Sequence, residues 1–157
     1  FVLVTLHRPS NVDNPAHLAA LIRVLDEVAR VAPVIFPVHP RTRARLKRLP
    51  RRVRLVEPLG YLEFLALQSR SALVVTDSGG IQEETTYLGV PCLTVRLNTE
   101  RPVTVTMGTN ELVGEDLNLL KKRALAILSG RLKKGRIPPL WDGRAGERIA
   151  DALVHAA

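Results

Sequence analysis

The chain has 157 residues, of which 46% are hydrophobic and 24% are charged, a composition typical of one globular domain with a buried core. No stretch approaches the roughly 18 unbroken apolar residues of a membrane-spanning helix, and no basic-then-apolar leader opens the sequence. We therefore expect a cytoplasmic protein with no membrane partner. The net charge of +8 is compatible with a polyanionic ligand.

Much of the positive charge lies in one run, from Arg41 to Arg54, that contains no acidic residue. The run also lacks aromatic side chains on which bases could stack, which disfavours nucleic acid as its partner. A solvated helix face explains the run as well as a ligand does. A third interpretation is an acidic partner segment elsewhere in a longer chain.

Short apolar, β-branched runs alternate along the chain with segments of helical spacing. Strands are predicted over residues 1–5, 34–38, 53–56, 72–76 and 91–95. A first helix is predicted to open at Asn14 and Pro15, and further helices over 41–48, 61–69, 80–88, 115–128 and 146–156, with a loop over 129–143. Because the strands are continuously apolar, we predict an α/β fold with a three-layer parallel sheet covered on both faces.

The single cysteine, Cys92, lies within the apolar run Val90–Val95, where it is predicted to be a small buried side chain. The His, Cys and Asp residues show none of the spacings typical of metal sites. We therefore predict that the protein holds neither a metal ion nor another cofactor.

In doubly wound sheets the ligand binds at the carboxyl ends of the strands, and three of these junctions carry polar residues. The junctions are Leu6–Asn11 after the first strand, His39–Arg41 after the second and Asp77–Gly80 after the fourth. A lone histidine is more often structural than functional. His7 and His39 occupy corresponding strand ends, which favours a shared site.

The fourth junction carries the strongest signal. Ser78 is predicted to cap the following helix, and Gly79 and Gly80 leave the first-turn N–H groups open to an anion such as a phosphate. A tight turn with a capped helix is the alternative interpretation. The spacing fits neither the dinucleotide fingerprint nor the P-loop.

Charged residues near this junction extend the same argument. Glu83 and Glu84 follow in the helix, where one of them could accept both hydroxyls of a ribose, although the helix dipole favours a carboxylate there even without a ligand. Arg101 follows the fifth strand and could add a donor to a phosphate. The alternative for Arg101 is a surface ion pair with Glu100 or another acid.

These residues lie in segments that resemble the UDP-N-acetylglucosamine 2-epimerases. The matching segments are TLHRPSNVDN at 5–14, FPVHPRTRARL at 36–46, EPLGYLEFLAL at 57–67, TDSGGIQEE at 76–84, LGVPCLTVRLNTERP at 88–102 and GTNELVG at 108–114. The resemblance is to the C-terminal lobe of a two-lobed enzyme of glycosyltransferase-B-like architecture. It implies that residues 1–157 form one Rossmann-like, UDP-binding lobe and that the N-terminal lobe of the family lies outside this sequence.

The resemblance implies a reaction in which UDP is eliminated to leave a 2-acetamidoglucal and is then added back, so that UDP-GlcNAc and UDP-ManNAc interconvert. Carried over by residue, Ser78, Gly79 and Gly80 hold the diphosphate, Glu84 binds the ribose hydroxyls and Arg101 reaches a phosphate.

The same resemblance implies that Phe64 and the backbone near Leu59 flank the uracil, and that His7 faces the sugar or the diphosphate as the catalytic candidate. Arg8 and His39 are further candidates for this site. The proton-transfer acids of the family lie in its N-terminal half. We therefore expect a lobe with little or no turnover alone, in a protein that forms a homodimer.

Two positions depart from the family pattern. Ser10 stands where HRxEN would place a glutamate, and Val103 stands where TERPE would place another. Each departure removes a carboxylate near the site. The alternatives are a lobe of a hydrolysing epimerase or of a related UDP-sugar glycosyltransferase, and, with less support, a basic module that binds nucleic acid.

Overall fold

The computed structural model describes residues 1–46 and 49–155, and six strands within them form one parallel sheet. The strands are β1 (Val2–Thr5), β2 (Val34–Pro37), β3 (Val53–Val56), β4 (Leu73–Thr76), β5 (Cys92–Thr94) and β6 (Asn110–Leu112). Their order across the sheet is β3-β2-β1-β4-β5-β6, and every neighbouring pair is parallel. This is the order of a doubly wound Rossmann-like sheet, with its switch point between β1 and β4. The predicted fold class is confirmed.

The helices occupy the crossovers between strands, as parallel pairing requires. They are α1 (Pro9–Val12), α2 (Pro15–Val28), α3 (Pro40–Ala44), α4 (Tyr61–Arg70), α5 (Gly79–Leu88), α6 (Pro102–Thr106), α7 (Leu117–Leu128) and α8 (Ala145–His155). α2 begins as predicted, because the side chain of Asn14 accepts hydrogen bonds from the N–H groups of Ala16 and His17.

Some predicted bounds require correction. The helix predicted over 41–48 ends at Ala44. Arg45 follows as its C-cap residue, and the Arg45 guanidinium bonds to the carboxylate of Asp13. Lys47 and Arg48 lie outside the described residues, as does Ala156 at the end of the last predicted helix. The sequence did not predict α1, α6 or β6, each of five residues or fewer.

Apolar side chains cover both faces of the sheet. On β1, Val2 and Val4 point into the larger cluster, where α2 and α7 pack, while Leu3 points to the opposite face. There a smaller cluster of Leu3, Val74 and Val90 packs against side chains of α4 and α5. Burial on both faces accounts for the uninterrupted apolar strands.

The connection over 129–143 has no helix or strand, as predicted, yet it is held against the sheet edge. The Lys133 ammonium donates to the carbonyl of Asn110 at 3.1 Å and to that of Val105, and burial lowers the pKa of this ammonium. The N–H of Arg136 donates to the carbonyl of Met107 at 2.9 Å. The connection is therefore part of the packed structure.

Helix α8 follows this connection and is exposed along its length, so it takes no part in the described core. None of the helices in the described part of the chain is both long enough and apolar enough to cross a lipid bilayer.

Candidate functional site

The carboxyl ends of β1, β4 and β5 meet around the buried carboxylate of Asp77, the residue that follows β4. Asp77 accepts hydrogen bonds from the N–H groups of His7 (3.2 Å) and Arg8 (3.0 Å) and from Nδ2 of Asn11 (2.9 Å). The same Nδ2 donates to the carbonyl of Val95, just past β5, at 3.0 Å. One carboxylate thereby fixes three strand ends at the switch point, where doubly wound folds bind ligands.

Our site prediction did not include Asp77 or Asn11. The signal for Asp77 was an acidic residue directly after a continuously apolar strand, a position that is buried in parallel sheets. No local pattern indicated that Asn11 would reach β5, because that contact spans 84 residues of sequence.

The imidazole of His7 projects from this junction. Its Nδ1 lies 3.0 Å from the Asp77 carboxylate, and the side chain is 60% exposed. The contact at Nδ1 orients the ring so that Nε2 points away from Asp77. An imidazole held in this way by a buried carboxylate is a suitable group for proton transfer or for binding an anionic or hydroxylated ligand.

Helix α5 begins beside His7 with its first-turn N–H groups accessible. Ser78 is the N-cap residue, as predicted, but its hydroxyl makes no capping hydrogen bond within the described residues. Its N–H instead donates to the hydroxyl of Thr76 at 3.0 Å. A Cβ added at Gly80 would meet no atom within 4 Å in the part of the chain that the structure describes, so the backbone is open there. An anion can therefore approach the start of this 10-residue helix closely.

The two acids of α5 have different surroundings. Oε1 of Glu83 pairs with Nε of Arg101 at 2.9 Å. The ion pair that was the alternative interpretation of Arg101 is therefore present, with Glu83 as the acid and not Glu100. In contrast, Oε2 of Glu84 is buried and has no hydrogen-bond partner among the residues that the structure describes. An uncompensated carboxylate oxygen is costly unless a ligand satisfies it.

A further ion pair lies beside this junction. Arg96, whose side chain is only 9% exposed, donates to both carboxylate oxygens of Glu100 at 2.7 Å, and Nη2 of Arg8 lies 3.7 Å from the same group. The hydrogen bonds from Arg96 lower the pKa of Glu100 to about 2. Our site prediction omitted Arg96, although an arginine directly after an apolar strand was a usable signal.

The residues predicted to flank a base lie where α4 begins. Phe64 is half-buried and packs against the smaller core cluster, and Leu59 is half-buried just before the helix. A cavity of about 380 Å³ opens between α4 and α5, and its lining includes Tyr61, Glu84 and Trp141. Glu84 therefore lies at the edge of an aromatic-lined space.

His7 and His39 line a second cavity, of about 230 Å³, together with Arg41 and Arg45. Nδ1 of His39 accepts a hydrogen bond from the N–H of Arg41 at 3.2 Å and so caps α3. The structure thus brings the two histidines to one space, as their strand positions predicted.

The basic run from Arg41 to Arg54 is partly paired. Arg43 bonds to Glu57 at 3.0 Å and Arg45 to Asp13, while the carboxylate of Asp26 accepts from three backbone N–H groups of residues 51–53. Partial burial alone would raise the pKa of Asp26, but these hydrogen bonds outweigh it and lower the pKa. These acids come from outside the run and neutralise part of its charge.

Sheet order, switch-point junction and exposed helix start together define a Rossmann-like lobe of the kind that binds nucleotides. The sequence model of the family described as UDP-N-acetylglucosamine 2-epimerase matches residues 1–154. The chain belongs to this family.

Individual relatives agree with this assignment. The chain is 41% identical to a UDP-N-acetylglucosamine 2-epimerase of Methanocaldococcus jannaschii over 99% of its own length and 44% of that protein. It is also 41% identical to a UDP-2,3-diacetamido-2,3-dideoxy-D-glucuronate 2-epimerase of Pseudomonas aeruginosa, over 98% of the chain and 44% of the relative.

A solved structure of the Methanocaldococcus jannaschii enzyme, in complex with UDP-GlcNAc and UDP, matches with a TM-score of 0.83 at 40% identity. The match covers 99% of this chain and 45% of that one. The chain therefore spans less than half the length of these relatives and corresponds to their C-terminal part, which confirms the predicted resemblance to a C-terminal lobe.

Proposed function

We propose that this chain is the UDP-binding lobe of a UDP-sugar 2-epimerase, with the nucleotide bound at the junction of β1, β4 and α5. The observation that carries the proposal is Oε2 of Glu84, which is buried and has no hydrogen-bond partner among the described residues. Glu84 lies about one turn along the helix whose first N–H groups are open at Gly80. A ribose diphosphate supplies hydroxyl donors for the carboxylate and an anion for the helix start.

In this arrangement the diphosphate lies on Ser78, Gly79 and Gly80, and the guanidinium of Arg101 adds a charged donor. Arg101 lies close to this position, because a Cβ at Gly79 would be 4.0 Å from the Cγ of Arg101. Its present ion pair with Glu83 is partly exposed, so Arg101 could exchange this carboxylate for a phosphate oxygen. The start of α5 and the more distant Arg101 would thus serve the same anion.

The uracil lies beyond the ribose, towards Phe64 and the backbone near Leu59. The cavity between α4 and α5 supports a base near the start of α4, because Glu84 and Tyr61 both line it, although its lining includes neither Phe64 nor Leu59. Aromatic and apolar walls suit the faces of a planar base.

The proposed reaction has two reversible steps. The proton at C2 of the sugar is removed and the bond from C1 to the diphosphate oxygen breaks, which gives UDP and a 2-acetamidoglucal. A proton then adds to the opposite face of C2, and the diphosphate oxygen bonds again to C1. The helix start, together with Arg101, stabilises the negative charge that develops on the departing diphosphate.

His7 is the catalytic candidate of this lobe. Its ring is oriented by Asp77 at 3.0 Å, so that Nε2 faces the space in which the sugar or diphosphate would lie. His39 lines the same space, and Arg8 lies at the same junction, where its Nε donates to the carbonyl of Asp77 at 3.1 Å; both would assist in binding. The acids that move the C2 proton are proposed to belong to an N-terminal lobe outside these 157 residues.

The identity of the sugar has two candidates. UDP-GlcNAc and UDP-ManNAc follow from the Methanocaldococcus relative, and a UDP-linked diacetamido-glucuronate follows from the Pseudomonas relative, which is equally identical to this chain. Both carry an acetamido group on C2, the carbon that is epimerised. We propose the first pair as substrate and product. We also propose, on the basis of the family resemblance, that the complete enzyme is a cytoplasmic homodimer.

An isotope experiment tests the proposed reaction. The chain, joined to the N-terminal part of the Methanocaldococcus relative, is incubated with UDP-GlcNAc in D2O and followed by NMR. We expect UDP-ManNAc with deuterium at C2, whereas the 157-residue chain alone binds UDP without turnover. Release of free sugar and UDP as the end products would indicate a hydrolysing enzyme, and epimerisation without deuterium at C2 would contradict the elimination.

A further inference from the structure

A network of buried amides and hydroxyls connects α5 to the segment that carries Arg101. Its members are Gln82, Thr94, Thr99, Thr104 and Asn110, and all except Thr99 are fully buried. Buried polar side chains of this kind are stable only when they bond to one another. Here the bonds converge on the backbone of one residue, Arg101.

One branch of the network runs through Thr99. Its hydroxyl donates to Oε1 of Gln82 at 2.6 Å and accepts from the N–H of Arg101 at 2.9 Å. Because Gln82 accepts the hydroxyl proton, the oxygen of Thr99 remains available to the Arg101 N–H. The amide of Gln82 thereby determines how Thr99 holds the backbone nitrogen of Arg101.

The second branch runs through Asn110 on β6. Its Nδ2 donates to Oε1 of Gln82 at 3.2 Å and to the hydroxyl of Thr104 at 3.1 Å, and its Oδ1 accepts from Thr94 at 2.7 Å. The hydroxyl of Thr104 in turn donates to the carbonyl of Arg101 at 2.7 Å. The two branches therefore fix both the N–H and the C=O of Arg101, and both meet at one oxygen of Gln82.

We propose that Gln82 is a positioning residue that holds Arg101 over the start of α5 for contact with a phosphate of the bound nucleotide. This inference rests on the proposed function and adds the group that sets the guanidinium in place. Gln82 lies on α5 itself, so the helix that receives the diphosphate also fixes its charged partner. Rigid support of this kind reduces the conformational entropy that Arg101 loses when the nucleotide binds.

The test compares Gln82→Leu with the matched control Thr85→Val. Thr85 is also buried on α5, but its hydroxyl donates to the helix carbonyls of Ile81 at 2.8 Å and Gln82 at 3.2 Å and takes no part in the network described above. Thr99→Val, at a half-buried position, breaks one branch without changing the core. Arg101→Ala is combined with Gln82→Leu to measure their coupling.

Two readouts separate positioning from general stability. In Gln82→Leu and Thr99→Val we expect amide hydrogen exchange at Arg101 to become about tenfold faster and UDP affinity to fall about tenfold, with uridine affinity changed by less than about twofold. Thr85→Val is expected to change none of the three beyond about twofold. In the Arg101→Ala background, Gln82→Leu should weaken UDP binding further by less than about twofold.

The opposing results are distinct. Unchanged exchange at Arg101 in Gln82→Leu, or equal losses of UDP and uridine affinity, would overturn the positioning role. If Arg101→Ala weakens UDP and Gln82→Leu does not, the proposed nucleotide site stands and this inference fails. If Arg101→Ala leaves UDP affinity unchanged, both the phosphate role of Arg101 and the positioning role of Gln82 are refuted.

Discussion

The polar residues at the switch point divide into two groups according to whether their atoms are satisfied within the protein. Asp77 accepts several hydrogen bonds from the ends of β1 and α1, so its role is to fix the junction and orient His7. Glu84 has an oxygen without a partner among the described residues, and Gly80 has an open backbone. The second group is the one that a ligand would complete.

We predict that Glu84→Gln weakens UDP about tenfold but changes the affinity for inorganic pyrophosphate by less than about twofold, because only UDP presents ribose hydroxyls to the carboxylate. Calorimetric titration of both ligands measures the difference. Glu57→Gln, which removes an equal charge at an exposed ion pair, is the control. Equal losses for UDP and pyrophosphate would show that Glu84 does not bind the ribose.

The pair of Arg96 and Glu100 predicts a pH dependence. The pKa of Glu100 is lowered from an ordinary value of 4.5 to about 2, chiefly by hydrogen bonds from Arg96. The stabilisation from this pair is therefore fully present above pH 4.5 and is lost as the pH falls through about 2. NMR titration of the Glu100 carboxyl carbon should show the low midpoint, and Arg96→Gln should return it towards the ordinary value. An ordinary midpoint in the unmodified chain would contradict the pairing.

At the scale of elements, periodic patterns identified the long helices and the apolar strands but not the short ones. β6 has three residues, two of them polar, and α1 and α6 have five residues or fewer, so none of them completes a pattern that spacing can detect. These short elements supply Asn11, Thr104 and Asn110 to the site and its supporting network. The sequence therefore indicated the glycine junction of the proposed site but not the residues that support it.

The close packing of α6 against α5 gives a prediction at this scale. A Cβ at Gly108 would collide with the side chain of Thr86 and lie 2.7 Å from the carbonyl oxygen of Thr104. We expect Gly108→Ala to lower the free energy of unfolding by about 1–3 kcal/mol, measured by urea denaturation. Gly146→Ala, on exposed α8 with no atom within 4 Å of the new Cβ, should raise it by no more than about 1 kcal/mol. Equal effects would contradict the described packing.

At the scale of the whole molecule, the fold class followed from alternation of strand and helix patterns, whereas the strand order did not. Order depends on pairings such as β1 with β4, which join residues about 70 positions apart and leave no local signal. The position proposed for the site did not depend on that order, because parallel strands bring their carboxyl ends to one edge whatever their order. The buried contacts of Asp77 and Gln82 could only be read from the assembled sheet.

The most direct test of the central claim is a calorimetric titration of this chain with UDP and, at the same ionic strength, with ADP. We predict that UDP binds at least about tenfold more tightly than ADP. We also predict that Gly80→Val abolishes binding while the fold is retained, because a Cβ at position 80 has no atom of the described residues within 4 Å but stands where the diphosphate would lie. Equal affinities for the two nucleotides, or full UDP affinity in Gly80→Val, would contradict a UDP site at the start of α5.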